Sequence, residues 1–264
     1  MRKAVMLLPY MGPLPHWMDL FLLTASRNPS FRFVLYTDQL FDHFPEYENI
    51  DWRPMTLGEI RDRFIEKTGM KIPELQNAYK LCDFKPTYGD LFSEETKEPF
   101  WGYGDIDMIW GRLDRFITAK VFENDIVSGD PGRLCGPFTL FRSTPQLVTL
   151  YRSAPTFERV FMDTAHHTFD EKGMTSYVET LKTLRIAYDP GQHGHPTKRG
   201  PYVYLDGKVM RVWRPKDILR GYIIPRMREC AFFHLHFWKN FTHDFDPVKV
   251  RGWTLGSDRL SPIK

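Results

Sequence analysis

Residues Phe100 to Gly111 read FWGYGDIDMIWG, and the reading of this stretch decides the rest. Two carboxylates, Asp105 and Asp107, stand one residue apart among aromatic and apolar residues and three glycines. Side chains two apart on an extended strand point to the same side, so the pair is expected to converge at the end of a buried strand. Trp101, Tyr103, Met108, Ile109 and Trp110 argue for burial, and Gly102 and Gly104 permit close approach of backbone. Carboxylates in an apolar setting must be paired or bound to a metal. The pair therefore points to a hard divalent cation, Mg²⁺ or Mn²⁺, held by oxygen ligands and shared with a phosphate. The bland alternative is that a D-x-D triplet, common by chance, is a turn or a solvated loop.

Working outward, Ala4 to Pro9 is a short apolar run ended by a Pro/Gly turn, as in a buried parallel strand. Pro15 to Ser26 carries apolar residues at helical spacing, and Phe31 to Thr37 reads as a second strand closed by Asp38. Together they make a βαβ unit. Thr56 and Glu59 form a capping box for a helix over Thr56 to Thr68, with Gly69 as its stop. Asn77 to Phe92 is expected to be helical with a break at Pro86, and Leu113 to Thr118 to form a short helix. Asp125 to Ser128 and Phe138 to Arg142 read as strands. Gln146 to Ser153, Thr156 to Met162 and Met174 to Thr183 read as helices. Tyr202 to Trp213 reads as a hairpin turning at Asp206-Gly207, and Ala231 to Trp238 as a late strand or loop returning to the core.

Alternating strands and helices predict a mostly parallel sheet, and ligands in such sheets bind outside the carboxyl ends of the strands. That rule gathers Pro9, Tyr10, Asp38, Asp105 and Asp107 near one crevice, where a nucleotide would lie. The 264 residues suffice for one large α/β domain or two small ones. The 42% hydrophobic and 26% charged residues are ordinary for a soluble globular protein and argue against disorder. A formal net charge of +3 gives no reason to expect nucleic acid as a partner. Cys82, Cys135 and Cys230 form neither a disulfide framework nor a zinc pattern, which fits a reducing cytoplasm. The N-terminal apolar run, broken by Pro9, reads as a strand rather than a signal peptide, and no stretch reaches the ~18–20 apolar residues of a membrane span.

A first strand near the N-terminus, an acidic residue closing the second strand and D-x-D closing a central one resemble a GT-A-fold glycosyltransferase. The longer series YKLCDFKPTYG (Tyr79 to Gly89), FWGYGDIDMIWG and FHLHFWKN (Phe233 to Asn240) resembles a family of putative bacterial glycosyltransferases from polysaccharide gene clusters, across nearly the whole chain. The resemblance implies an α/β, GT-A-like (Rossmann-like) fold with a mixed, mostly parallel central sheet flanked by helices and a small hairpin or acceptor region in the second half. It implies a single domain over 1–264, with a nucleotide-sugar half at 1–128 and, at 129–264, an acceptor half with the C-terminal metal and diphosphate segment. The activity implied is transfer of a hexosyl group from a nucleotide-sugar, UDP by prior, to a saccharide or lipid-linked saccharide acceptor in surface polysaccharide synthesis, in the cytoplasm or at the inner face of the membrane.

The resemblance also implies roles. Asp107, ahead of Asp105, would ligate Mn²⁺ or Mg²⁺ on the diphosphate, and Asp105 would also meet the ribose or sugar. A further ligand would be His234 or His236, with His234 preferred, and Lys239 would meet the diphosphate. Both histidines as satisfied core residues is the competing view. Lys80, Asp83 and Lys85 would grip the donor's phosphates or sugar, against a structural ion pair between Lys80 and Asp83 at helical spacing. Asp170 or Glu171 would serve as the base that deprotonates the acceptor hydroxyl, against an acidic cap at a helix N-terminus. The Gly/Pro-rich segments Gly129 to Pro137 and Asp189 to Pro201 would close over the donor. Tyr202, Tyr204, Trp213 and Trp238 are candidates for sugar stacking or for core. Arg220, Tyr222, Arg226 and Arg228 offer a peripheral membrane contact, against an ordinary solvated face. Two other classes compete: a metal-dependent nucleotidyl or phosphoryl transferase, for which Met11 to Leu14 makes a poor phosphate loop, and a noncatalytic carbohydrate-binding protein with a decayed site.

Overall fold

Runs such as AVMLLP and FRFVLYT lack a polar face, and a strand of that kind is stable only when covered on both sides. The computed structural model describes residues 2–190, 202–212, 227–235, 239–242, 245–255 and 259–263. In chain order its strands are β1 (Ala4–Pro9), β2 (Phe31–Thr37), β3 (Ile50–Pro54), β4 (Phe100–Gly104), β5 (Met108–Trp110), β6 (Ile126–Ser128), β7 (Phe138–Arg142), β8 (Ile186–Tyr188), β9 (Tyr202–Leu205), β10 (Lys208–Val212), β11 (Met227–Cys230), β12 (Phe232–His234), β13 (Gly252–Leu255) and β14 (Leu260–Pro262). Contacts divide the chain into two units that interleave along it: 1–15, 29–106 and 119–190 form the first, and 16–28, 107–118 and 191–264 the second. Ser128 and Gly129, either side of the expected division between halves, both lie in the first.

The first unit is built on a seven-stranded sheet of order β3-β2-β1-β4-β7-β6-β8. Four of its pairings are parallel, and β7 runs antiparallel to both neighbours. The sheet is thus mixed and mostly parallel. All of β2 and all of β1 except Pro9 are buried; β1 is apolar throughout, and Arg32 of β2 is buried in ion pairs with Asp51, Glu95 and Glu98. Val5, Leu7, Val34, Tyr36, Trp101, Tyr103, Ile126 and Phe141 share one core with helices that flank the sheet, among them α2 (Leu57–Thr68), whose Ile60 and Phe64 are buried. Both halves of the Thr56/Glu59 capping box are present, and Gly69 closes α2 at φ 71°, a left-handed conformation that glycine takes without penalty. Asn77 to Phe92 is not one helix broken at Pro86. It is a chain of single turns over Ala78–Lys80, Leu81–Phe84, Lys85–Thr87 and Tyr88–Leu91, with Pro86 seated inside one of them.

Strand order reverses at β1, which has β2 on one side and β4 on the other. That is the switch point where a crevice opens at the carboxyl ends of a doubly wound sheet. Leu7 and Tyr103 form the last pair between β1 and β4, two residues before Pro9 and Asp105 respectively. Asp105 to Asp107, however, lie between β4 and β5, outside both strands, with a bend at Ile106 and Asp107. Strand alternation is therefore not what orients these two side chains. Asp105 belongs to the first unit and Asp107 to the second.

In the second unit, β9, β10, β11, β13 and β14 form an antiparallel sheet of order β11-β10-β9-β13-β14, and β5 pairs with β12. The hairpin turns at Asp206 and Gly207, both at positive φ (49° and 80°), as a two-residue loop of this hand demands. Tyr204 stacks on Trp253 within a core that includes Trp17, Leu20, Ile109 and Phe233. The helix α1 (Met18–Ser26) starts later than Pro15. Beyond it the Asn28 side chain donates to the Gly111 carbonyl and accepts from the Leu113 amide, which anchors the turn after β5. No helix among the described residues is long and apolar enough to cross a membrane.

Gly102 lies where β4 is hemmed in by β7. A Cβ there would stand 2.5 Å from both the Thr139 carbonyl oxygen and a Leu140 methyl. Gly102→Ala is expected to destabilise the fold by about 1–3 kcal/mol. Urea denaturation should show a lower midpoint at unchanged m-value, and an unmoved midpoint would contradict this strand register.

Candidate functional site

Burial of an ammonium group costs several kcal/mol unless charge partners stay with it. Lys85 is 6% exposed, at the start of the turn over Lys85–Thr87. Its Nζ donates to Asp105 Oδ1 at 2.6 Å and to the Gly136 carbonyl at 3.1 Å, and lies 3.5 Å from Asp170 Oδ2. Burial alone would lower this ammonium, but the two carboxylates outweigh it and hold it well above its ordinary range. Asp170, 3% exposed, goes the other way. Burial raises its carboxyl from 3.8 to about 7, opposed by Lys85 and assisted by Glu171 and Asp105. A carboxyl poised near neutrality at the edge of a charge network can accept or give up a proton.

Glu171 has less freedom than its neighbour. It accepts from Arg133 Nη1 at 2.8 Å and from the Gly136 amide at 3.2 Å. Gly136 itself sits on the network: a Cβ there would stand 2.7 Å from Asp170 Oδ2 and 3.3 Å from Lys85 Nζ. The segment Gly129 to Pro137 is correspondingly held at its far end. Leu134 and Cys135 are buried, and their amides donate to Thr175 Oγ1 and Thr139 Oγ1. Its Gly/Pro content, from which a closing loop was expected, here serves close approach of backbone to charge.

Lys80 and Asp83 are spent inside the protein. Lys80, 2% exposed, uses its ammonium on Asp83 Oδ2 (2.9 Å) and on the carbonyls of Val160 (2.8 Å) and Ala165 (2.7 Å). Asp83, fully buried, accepts the backbone amides of His167 and Phe169. No proton of Lys80 is left for a phosphate. The pair clamps the backbone on both sides of Thr168, which holds φ 53°, a strained conformation for a threonine. The amides of Glu171, Lys172 and Gly173 converge on the Thr168 carbonyl, so the strained residue opens the single wide turn over Phe169–Gly173 that presents Asp170.

At the switch point, the Tyr10 amide donates to the Tyr36 carbonyl, and Asp38 Oδ1 accepts from the Gly12 amide at 2.9 Å. Burial pushes the Asp38 carboxyl up, and the bonds from Gln39 and the Gly12 amide together outweigh it and hold the group below its ordinary value. Pro9, Tyr10, Asp38, Lys85 and Asp105 therefore all belong to the crevice end of the first unit. The cleft of about 400 Å³ lined by Arg159, His167, Lys172 and Tyr177 includes none of the expected site residues.

In the second unit the β5–β12 ladder sets His234 opposite Met108, and the Leu235 amide donates to the Asp107 carbonyl. His234 Nε2 thus lies 3.2 Å from Asp107 Oδ1, and Lys239 Nζ lies 2.7 Å from Oδ2. Asp107 is 7% exposed. Burial pushes its carboxyl up, and the bonds to His234 and Lys239 hold it well below the usual carboxylate range. A carboxylate oxygen beside an imidazole nitrogen is a pair that can hold a divalent cation, and the ammonium on Oδ2 marks a place where positive charge is already accommodated. His236 lies outside the described residues, as do Trp213, Trp238, Arg220, Tyr222 and Arg226.

Residues 6–247 match the model of DUF6625, a family of unknown function, and the chain belongs to that family. No curated protein matches it. Similar solved structures include the galactosyltransferase LgtC in complex with donor and acceptor sugar analogues (9% identity, 74% of this chain and 76% of that one, TM-score 0.38). They include also the apo form of the glycosyltransferase GlyE of Streptococcus pneumoniae (11%, 73% and 46%, TM-score 0.41). A third is apo mouse xyloside xylosyltransferase 1 (10%, 88% and 97%, TM-score 0.44).

The sequence assigns no individual role to four residues of this region: Tyr79, which opens the YKLCDFKPTYG series, Arg133 and Gly136, which lie in the Gly/Pro-rich segment, and His166. The His166-His167 doublet beside Phe169-Asp170-Glu171 is the local pattern that marks the last of them.

Two measurements probe the network. Lys80→Met leaves Asp83 buried without its cation, and should cost about 3–5 kcal/mol of stability by denaturant unfolding. A loss under about 1 kcal/mol would show that the pair is dispensable. For Asp170, the folded chain keeps a proton that the unfolded chain releases between pH 3.8 and about 7. This group's contribution to stability is therefore lost as pH rises through that window. Asp170→Asn lacks that loss, so its Tm relative to the parent should climb with pH across the window. A flat difference would reject the raised carboxyl.

Proposed function

We propose that this protein is a metal-dependent glycosyltransferase of GT-A type that moves a hexosyl group from a nucleotide-sugar to a saccharide acceptor. The observation that carries the reading is the Asp107–His234–Lys239 set. A buried carboxylate of D-x-D meets an imidazole and an ammonium from the far end of the chain. Hard oxygen, borderline nitrogen and a neighbouring cation are what a diphosphate and its metal require together.

In this reading Asp107 and His234 hold Mn²⁺ or Mg²⁺, which when bound supplies Lewis acidity and neutralises charge on the leaving diphosphate. Lys239 turns its ammonium from Asp107 to a phosphate oxygen and adds to that stabilisation. Pro9, Tyr10 and Asp38 border the nucleoside at the switch point, and Asp105, oriented by Lys85, meets the donor's ribose or sugar. The anomeric carbon to phosphate-oxygen bond breaks with its electron pair leaving on the diphosphate. The acceptor oxygen forms the new bond to that carbon, and its proton passes to the Asp170 carboxylate. Asp170 is preferred to Glu171 because both oxygens of Glu171 are already engaged. Lys80 and Asp83 position this machinery and do not touch the donor. UDP as the nucleotide, a lipid-linked acceptor, surface polysaccharide synthesis and a cytoplasmic membrane-face location belong to the same proposal, on the strength of the sequence resemblance.

Isothermal titration with UDP, GDP and CMP, each with and without Mn²⁺, separates the readings. A nucleoside diphosphate is expected to bind only with metal, and Asp107→Ala to weaken it roughly a hundredfold or more. Unchanged affinity in that variant would overturn the metal assignment. Absence of metal-dependent binding by all three nucleotides would favour the noncatalytic carbohydrate-binding alternative.

A further inference from the structure

Tyr79 is 62% exposed, the one aromatic among the exposed large hydrophobic side chains Leu40, Tyr79, Met162 and Val248 of the described residues. Its outward direction is fixed locally. The Asn77 side chain caps the Tyr79 amide at 2.8 Å and starts the turn over Ala78–Lys80, and the adjoining Lys80 is buried and fully engaged. His166 meets the Tyr79 ring edge-on, with centroids 4.6 Å apart. The same buried pair places His166 too, because Ala165 gives its carbonyl to Lys80 and His167 its amide to Asp83. Beyond His166 lies the charge network: ligand atoms of His166, Asp83 and Asp170 all fall within 4.8 Å of one another. Tyr79, His166, Asp170, Lys85 and Asp105 thus form one continuous line of neighbours from solvent to the D-x-D carboxylate.

That trio of Asp83, His166 and Asp170 does not suit a cation. Asp83 is saturated by an ammonium and two amides, and Lys80 and Lys85 already supply positive charge. Burial lowers the His166 imidazole, opposed by Asp83 and assisted by Lys80 and Lys85, so it stands neutral at pH 7 and can both donate and accept. An exposed tyrosine ring, a neutral imidazole packed against it in a T-shaped contact and a buried carboxyl behind suit a ring with apolar C–H faces and hydroxyl edges. A phosphate would meet Asp170 and Asp83 unfavourably there.

We propose that Tyr79 and His166 form the stacking wall of the acceptor saccharide subsite, which holds a neutral pyranose against Tyr79 with a hydroxyl directed at Asp170. The inference rests on the reading of the chain as a sugar transferase, and it adds the class of acceptor and the residues that select it. Tyr79 is here a binding residue, and Asp83 with Lys80 positions it.

Saturation-transfer NMR tests this with a panel of methyl glycosides (glucoside, galactoside, mannoside and N-acetylglucosaminide), added to the full chain with and without UDP and Mn²⁺. At least one glycoside is expected to receive saturation, weakened roughly three- to tenfold by Tyr79→Ala and kept by Tyr79→Phe, which retains the ring. Because the side chain is exposed, Tyr79→Ala should unfold at the parent's temperature, which separates lost binding from lost fold. No transfer to any glycoside in either condition, or equal transfer in Tyr79→Ala, would overturn the subsite. So would transfer to uridine protons that depends on Tyr79, because the wall would then hold the nucleobase. Tyr79-dependent glycoside binding without metal-dependent nucleotide binding would remove the transferase and leave the subsite. The reverse pattern would remove the subsite alone.

Discussion

A lysine ammonium without water must keep negative charge beside it, and the charge it keeps at Lys85 organises the first unit around the end of β4. Asp105 and Asp170 come from segments 65 residues apart in sequence, and both are drawn to one Nζ. The carboxylates then need room, and the backbone of Gly136 supplies it because any Cβ would collide with Asp170. They also need orientation, which the buried Lys80–Asp83 pair supplies by clamping the strained turn that precedes Asp170. Chemistry and stability are coupled here. Asp105, 26% exposed at its side chain, can meet a ligand, whereas Asp170 is buried, and burial raises its carboxyl to about 7 against the opposing charge of Lys85.

Much of the fold is legible where one local rule decides the outcome. Largely apolar runs mark β1 and β2, the Thr56/Glu59 spacing marks the start of α2, and Asp206-Gly207 marks the hairpin turn. Each feature is fixed within a few residues by sterics or one hydrogen bond. β3 escapes because its sequence IDWRP carries two charges in five residues. Those charges are satisfied from afar, Asp51 by Arg32 of β2 and Arg53 by Glu95, and no neighbouring residue announces it. The interleaved units escape for the same reason, since only long-range contacts define them.

The site is legible in composition and less so in role. Lys80, Asp83 and Lys85 look alike in sequence, as charges on one apolar stretch, yet their partners divide them. Lys80 spends its protons on a carboxylate and two carbonyls, while Lys85 reaches Asp105 at the mouth of the sheet. The spacing of three between Lys80 and Asp83 already allowed the structural reading, and burial decides for it. Asp170 and Glu171, adjacent and chemically similar, separate on the same principle: Arg133 takes one and burial beside Lys85 tunes the other. Tyr79 and His166 could not be singled out, because an exposed aromatic and a histidine have no pattern until the chain brings them edge to face.

The D-x-D motif makes the last point. Strand alternation gave the reason for expecting Asp105 and Asp107 to act together, and the backbone there is a bend, so that reason fails. A different constraint takes its place for Asp107. β5 follows it immediately, β12 pairs with β5, and the register sets His234 across from Met108. A slip of one residue would turn His234 to the opposite face and remove it from Asp107. The core holds against such a slip, because Ile109 and Phe233 are directly paired and both buried in it. Apolar packing thus specifies where the imidazole meets the carboxylate.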